Sequence, residues 1–296
     1  MKHQFLFDHK SQFPVELMCR VLDTSPSAFY AWRKRAPSPH TQRDWELGEQ
    51  IKQVFERSRG RYGSPRVHQE LRAGGHRCSP KRVARLMRER GLCAQTKRRF
   101  VATTHSKHAH PLAPNVLNRR FGVEEVEGVN RVWAGDITFI PVGGGWLYLA
   151  VVLDLKSRRV IGWSMKETLE QELVAQALSM AQQGRLGEAT AQTLLFHSDR
   201  GSQYAAHATR DWLAQWQIVQ SMSGKGDCWD NAVVESFFAT LKKELVHREH
   251  YHTPEQAKAS LFAYIEVFYN RQRRHSALGF QSPHDYEQTL LSISPP

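Results

Sequence analysis

Three acidic residues stand in contexts that suit metal chemistry: Asp136 in Trp-Ala-Gly-Asp-Ile-Thr, Asp199 in Phe-His-Ser-Asp-Arg-Gly-Ser-Gln-Tyr, and Glu235 in Asp-Asn-Ala-Val-Val-Glu-Ser-Phe-Phe. Carboxylates from separate elements can converge on hard divalent cations, and a pair of such ions drives in-line displacement at a phosphodiester. Each acid also has an ordinary reading. Asp136 could pair with a Lys or Arg at a sheet edge, Asp199 could form a turn, and Glu235 could answer a helix dipole. Gln203 and Tyr204 follow Asp199 closely enough to line such a site or to pack beneath it.

The elements that must position these acids are legible as strands and helices. Apolar, β-branched runs predict strands over 132–141, 147–155 and 158–165, joined by Gly143-Gly144-Gly145 and by Lys156-Ser157, which makes an antiparallel meander with Asp136 in its first strand. Asp154 is expected to anchor the second turn. A helix over 170–183, a strand over 193–197 that ends just before Asp199, a helix over 205–215 and a short strand over 218–222 complete a mixed sheet covered by helices. The glycine-rich stretch 221–227 leads to Asp230 or Asn231 as the cap of a helix that runs to about His247 and carries Glu235. Asp227 is a rival acid in that loop. Lys242 lies two turns from Glu235, hence on the same helix face, with Lys243 as its competitor.

The front half reads differently. Ser25-Pro26, Ser64-Pro65 and Ser79-Pro80 each precede an apolar-periodic stretch, with serine suited to cap the helix and proline to its first turn. Helix 15–19, the turn Asp23-Thr24-Ser25 and helix 26–35 form one helix-turn-helix, with Arg33, Lys34 and Arg35 at its exit. Helix 65–72, Gly74-Gly75 and helix 80–90 form another, closed by Gly91, and helix 43–57 links the two. A second helix of this kind can enter the major groove, so Lys81, Arg82, Arg85 and Arg88 are candidate DNA contacts, mostly to phosphate. The resulting division is 1–40 and 41–94 as helix-turn-helix regions, 95–128 as a basic linker, 129–250 as the acid-bearing core and 251–296 as a helical end. In that end, the aromatic residues Tyr264, Phe268 and Tyr269 suit a core, and Arg271, Arg273 and Arg274 suit DNA.

Charge follows the same division. Lys and Arg number 25 against 9 Asp and Glu over residues 1–120, and 16 against 20 over 121–296. A front of +16 beside helix-turn-helix signals favours nucleic acid over a membrane surface. No apolar run is long enough to span a bilayer and no signal-peptide core opens the chain, so a cytoplasmic protein is expected. The four cysteines lie far apart with no Cys-x-x-Cys pair, and Cys93 with His105, His108 and His110 fits no common zinc spacing.

Residues 130–290 resemble the integrase catalytic core shared by retroviral integrases and many bacterial transposases. In that family an Asp on the first strand, an Asp after the fourth and a Glu on a later helix hold metal, the last two commonly with 35 residues between them, as between Asp199 and Glu235 here. The chain is more closely similar to the catalytic subunit of bacterial insertion-sequence transposases encoded by two overlapping reading frames. That likeness runs through Phe13-Pro-Val-Glu-Leu-Met-Cys-Arg-Val-Leu, Arg61-Tyr-Gly-Ser-Pro-Arg-Val-His, Trp133-Ala-Gly-Asp-Ile-Thr-Phe-Ile and Tyr269-Asn-Arg-Gln-Arg-Arg-His.

The resemblance implies an RNase H-like α/β fold with flanking helices behind an all-α front. It also implies two Mg²⁺ ions, replaceable by Mn²⁺, on Asp136, Asp199 and Glu235, and Lys242 as a DNA contact. The implied activity is binding of terminal inverted repeats, then DNA cleavage and joining to a target. At least a dimer and an upstream-frame product are the implied partners. A non-catalytic helix-turn-helix regulator and a nuclease that does not join strands are the competing readings.

Overall fold

The computed structural model describes residues 1–94, 111–186, 194–224 and 228–293. They form two compact units, Met1–Cys93 and Ala94–Pro296.

The first unit is all helical. Helices α1 (Lys2–His9), α2 (Val15–Val21) and α3 (Pro26–Lys34) close around Leu6, Met18, Cys19 and Phe29. Ser25 caps α3 by accepting from the Ala28 N–H at 3.4 Å, with Pro26 in the first turn. Helix α1 has no counterpart in the sequence reading, because only Leu6 of its apolar residues is buried and Phe5 and Phe7 face out.

Helices α4 (Pro39–Arg57), α5 (Ser64–Ala73) and α6 (Pro80–Glu89) make a second trio through Leu47, Ile51, Val67, Leu71, Val83, Leu86 and Met87. Helix α4 starts earlier than Arg43, at a further Ser-Pro pair: Ser38 accepts from Thr41 N–H at 3.1 Å. It packs on both α5 and α6, so it belongs to their bundle rather than merely linking two hairpins. Ser79 caps α6, but Ser64 does not cap α5; it is already helical, and Gly63 takes the cap position. Gly91, at φ +65°, ends the bundle as expected, with Leu92 N–H closing on the Met87 carbonyl at 2.9 Å.

The second unit is built on a five-stranded mixed sheet. Strands β1 (Val132–Val142), β2 (Gly145–Asp154) and β3 (Val160–Lys166) form the antiparallel meander. Its first turn needs left-handed backbone at both central positions, which Gly143 (φ +50°) and Gly144 (φ +90°) supply. Its second turn is held as expected by Asp154, fully buried, which accepts from the Ser157 N–H at 2.8 Å and hydroxyl at 3.0 Å and from Asn130 N–H at 2.7 Å.

After α7 (Gln171–Arg185), β4 (Leu195–Ser198) joins β1 in parallel. Helices α8 (Ser202–Ala205) and α9 (His207–Gln215) then lead to β5 (Val219–Met222), parallel to β4, giving the order β3-β2-β1-β4-β5. A 3-10 turn (Cys228–Asn231) opens α10 (Ala232–Glu244). Helix α11 (Pro254–Phe262) then runs into a π-helix (Ala263–Tyr269), and α12 (Pro283–Ile293) follows. One sheet face carries Trp133, Val152 and Phe196 under α7; the other carries Ala134, Ile140 and Leu149 under α10 and the C-terminal helices. This is the α/β architecture expected, an RNase H-like sheet with flanking helices behind an all-α front.

Part of the stretch read as a basic linker is docked on this unit. Ser221 accepts from the N–H groups of Val116 (3.0 Å) and Leu117 (3.2 Å), and the Leu117 side chain is buried in the core. No helix among the described residues is long and apolar enough to cross a membrane.

Candidate active site

Strand pairing brings the first two acids together. The parallel register of β1 on β4 ends at Gly135 opposite Ser198. Asp136 and Asp199 are the next residue on each chain, so the ladder delivers them side by side, at the inter-strand spacing of about 5 Å. Asp136 shares the parity of Ala134 and Ile140 and therefore faces the side that α10 covers.

Beneath the pair, a side chain at Gly135 would collide with Phe196, the added carbon lying 2.6 Å from its ring, and would crowd Tyr204. Tyr204 is buried; burial, then the charges of Asp136 and Asp199, push its phenol well up, so it stays neutral. Between packing and lining the site, Tyr204 does the former, while Gln203 is partly exposed.

The helix start brings the third. Asn231 donates from its amide to the Gly135 carbonyl at 3.2 Å, one residue before Asp136, and so pins the head of α10 to β1. Glu235 follows one helical turn later. Asn231 takes the N-cap position of α10, one of the two residues expected there, but neither it nor Asp230 caps the helix with its side chain. The Asp230 carboxylate is instead spent on tertiary contacts: it accepts from Asn115 (2.9 Å), Arg119 (2.8 Å) and Gly224 N–H (2.6 Å). Burial raises its pKa, and Arg119 with Gly224 more than offsets this, leaving it below the usual range. Asn115 and Arg119 were missed because they fall in the stretch read as linker. Their only sequence signal was an apolar Leu117 among basic residues. Asp227 lies outside the described residues, as do His105, His108 and His110.

The far end of α10 is also held. Glu244 accepts from Arg273 (2.8 Å and 2.9 Å) and from the Tyr264 hydroxyl (2.8 Å), with Arg273 almost fully buried. Arg273 is therefore not a surface contact for DNA: burial would lower its pKa, and Glu244 overrides that. Arg274 donates to the Phe280 carbonyl at 3.0 Å, and Arg271 is exposed. Tyr264 and Tyr269 are core residues, as expected.

Electrostatics link the three acids to one another and to Lys242. Burial pushes the Asp136 carboxyl well up, Asp199 and Glu235 push it further, and the Ile137 N–H and Lys242 oppose them. Glu235 is raised by burial and by Asp199. Lys242 is half-buried, its amine 5.5 Å from the Phe139 ring centroid; burial lowers its pKa and Asp136 counters. Lys243 is exposed.

As the side chains stand, no three His, Cys, Asp or Glu among the described residues form a ready metal-holding group. Asp136 turns an oxygen onto the Ile137 N–H at 2.8 Å, and Asp199 onto Gly201 N–H at 2.9 Å. Three part-buried carboxyl groups, with Asp136 raised by the other two, Glu235 raised by Asp199, and Lys242 opposing the rise at Asp136, nevertheless match the donor chemistry of a hard divalent cation.

In the first unit, Lys81 and Arg88 of α6 are exposed, and no ion pair engages them among the described residues. Arg82 and Arg85 are both drawn to Asp44, at 2.6 Å each. Arg33, Lys34 and Arg35 are exposed at the exit of α3.

Known proteins share this organisation. The HTH-like domain family matches residues 42–100, and two integrase core domain families match residues 126–228 and 216–283. The transposase InsF for insertion sequence IS3A of Escherichia coli (strain K12) is 40% identical over 294 residues, covering 99% of this chain and 100% of that one. An uncharacterized 31 kDa protein of insertion element IS600 from Shigella sonnei is 41% identical over 266 residues, or 90% of this chain and 96% of that one. Among solved structures, the HTLV-2 integrase catalytic core domain in complex with magnesium aligns at TM-score 0.41 and 16% identity, over 54% of this chain and 98% of that one. The BIV integrase catalytic core aligns at 0.42 and 19%, over 55% and 97%.

Proposed function

The chain belongs to the InsF-type transposases of IS3-family insertion sequences, and on that premise we propose that it binds the terminal inverted repeats of its element and cuts and joins DNA strands at Asp136, Asp199 and Glu235. The observation that carries this reading is the register end of β1 and β4, which sets two acids side by side in the field of a third.

Two Mg²⁺ ions, or Mn²⁺ in their place, held by Asp136, Asp199 and Glu235, would supply activation of the attacking oxygen and stabilisation of the leaving one. The protein's own part is positional. The β1–β4 ladder fixes the two aspartates, Asn231 fixes the helix that brings Glu235, and neutral Tyr204 adds no charge below them. Lys242, on the same face of α10 as Glu235, offers a cation to the backbone of the reacting strand. The exposed cations Lys81 and Arg88, with Arg33, Lys34 and Arg35, supply phosphate contacts in the helical front; Arg82 and Arg85 join them only by sharing or leaving Asp44.

Joining two DNA ends to a target requires at least two copies of the chain, working on chromosomal DNA in the cytoplasm, and the product of an upstream reading frame is a further partner. The test uses element ends and target DNA with Mg²⁺. Alanine at Asp136, Asp199 or Glu235 should abolish cutting and joining and leave end binding intact. Loss of end binding in all three variants would refute the assignment, and hydrolysis without joined product would demote the chain to a nuclease. Wild-type activity in chelator would remove the metal from the scheme.

A further inference from the structure

Beyond Asp136, β1 pairs with β2 alone, because β4 ends at Ser198. On this one-sided hairpin, Phe139 lies opposite Tyr148 and Pro141 opposite Trp146, so successive pairs place three aromatic rings on one face. Trp146 packs edge-on against Phe139 at 5.5 Å and 78°, and Tyr148 does so at 6.4 Å and 71°. T-shaped packing of two rings uses one face and one edge, which leaves aromatic faces for another partner. Trp146 in particular is 53% exposed. The amine of Lys242 stands 5.5 Å from the Phe139 ring, and the same amine feels the charge of Asp136. By strand parity Phe139 faces the opposite side of the sheet from Asp136, and the Lys242 amine, near the one and in the field of the other, links the two around the open edge of β1.

We propose that Trp146, with Phe139 and Tyr148 behind it, is a stacking platform for an unpaired nucleobase of the DNA strand whose backbone is held at Lys242. Aromatic faces beside a cation are the chemistry that takes single-stranded nucleic acid without reading its sequence. The distance suits it: Phe139 lies three residues past Asp136, about 10 Å along the strand, which is about three nucleotide steps from a phosphate at the acids. A duplex cannot offer a base face there while fully paired, so the platform implies that the DNA end is opened near the cut. This rests on the DNA-processing reading above and adds a subsite to it.

The full-length protein in chelator, where no strand is cut, allows binding to be read alone. Two probes of equal length are needed: a fully paired element end, and the same end with a short single-stranded overhang carrying a fluorescent aminopurine. Trp146→Ala should weaken binding of the overhang probe about tenfold, remove the quenching of aminopurine, and leave the paired probe unchanged. Trp146→Phe should restore most of both signals. Equal losses on the two probes, or no loss on either, would overturn the platform while leaving the DNA-processing reading in place. Failure of the wild-type chain to bind either probe would overturn both. Because Trp146 is half-exposed near a glycine turn, the variant should keep its fold. A melting scan checks this, and Tyr148→Leu serves as a second variant with the same expected discrimination between probes.

Discussion

Asp136 is a part-buried carboxyl raised by two like-charged neighbours and opposed by the charge of Lys242. A raised pKa in the folded state means that its charge opposes folding at neutral pH, and that the opposition fades as pH falls. Asp136→Asn should therefore abolish strand cutting while stabilising the metal-free protein by about 1 kcal/mol, a rise of a few degrees in melting temperature. Addition of Mg²⁺ should stabilise the wild type and not the variant, closing that gap. A variant that melts lower than the wild type without metal would mean that the three acids are not mutually repulsive. Lys242 and Lys243 give a second contrast. They are adjacent in sequence, yet one is half-buried beside Asp136 and the other points to solvent. Lys242→Ala should reduce strand transfer about tenfold or more, the worth of one charge-assisted contact, and Lys243→Ala should leave it near wild type in the same assay.

Helix α10 is a bar clamped at both ends, with Glu235 and Lys242 between the clamps. Its head is tied through Asn231 to Gly135, and its tail through Glu244 to Arg273 and Tyr264. The tail clamp comes from the π-helix and the turn after it. A neighbouring residue, Asn270, trades both amide groups with the backbone of Val160 at 3.0 and 2.9 Å, fastening the same segment to β3. A site on a helix fixed at two points holds its geometry better than one on a loop. Arg273→Met leaves the part-buried Glu244 without its arginine, which costs about 3 kcal/mol or more. The Ala94–Pro296 unit should then melt roughly 10 °C lower, while the salt dependence of DNA binding stays as in the wild type. A flattened salt dependence with unchanged melting would return Arg273 to the DNA surface. In sequence this arginine sits in a basic cluster and reads as a phosphate contact; its burial depends on Glu244, 29 residues away.

At the scale of the molecule, charge and structure both divide the chain. The all-helical unit Met1–Cys93 carries 19 Lys and Arg against 9 Asp and Glu, whereas Ala94–Pro296 is nearly balanced, 22 against 20, and turns acidic only from residue 121 onward. Within the sheet unit, Glu287 of α12 accepts from Arg159 (2.7 Å) and from Arg185 at the end of α7 (2.8 Å), gathering three distant stretches of chain. Burial pushes its carboxyl up, and the two arginines and Ser157 more than reverse this, so its pKa lies below 4.5. The stabilisation is then fully present above that value and is lost as pH falls through the folded-state value. Between about pH 5 and about pH 3 the wild type should lose melting temperature more steeply than Glu287→Gln, which starts lower and changes less. Parallel pH profiles would discount the network.

What the sequence determined by itself was local. The alternation that makes β1 and β2, the Gly143-Gly144 turn, and the Ser-Pro starts of α3 and α6 follow from residues within a few positions of one another. Backbone sterics, capping and side-chain period act over that range. Tertiary structure decided which polar groups meet. It turned Asp230 from a helix cap into the anchor for Asn115 and Arg119, drew Arg273 inside, tied Arg82 and Arg85 to Asp44, docked residues 116 and 117 on Ser221, and ended β4 where Asp136 and Asp199 stand abreast. Each of these is a contact between positions far apart in the chain. Neither partner's own neighbourhood encodes the other, because register and burial are properties of the assembled sheet and not of its strands.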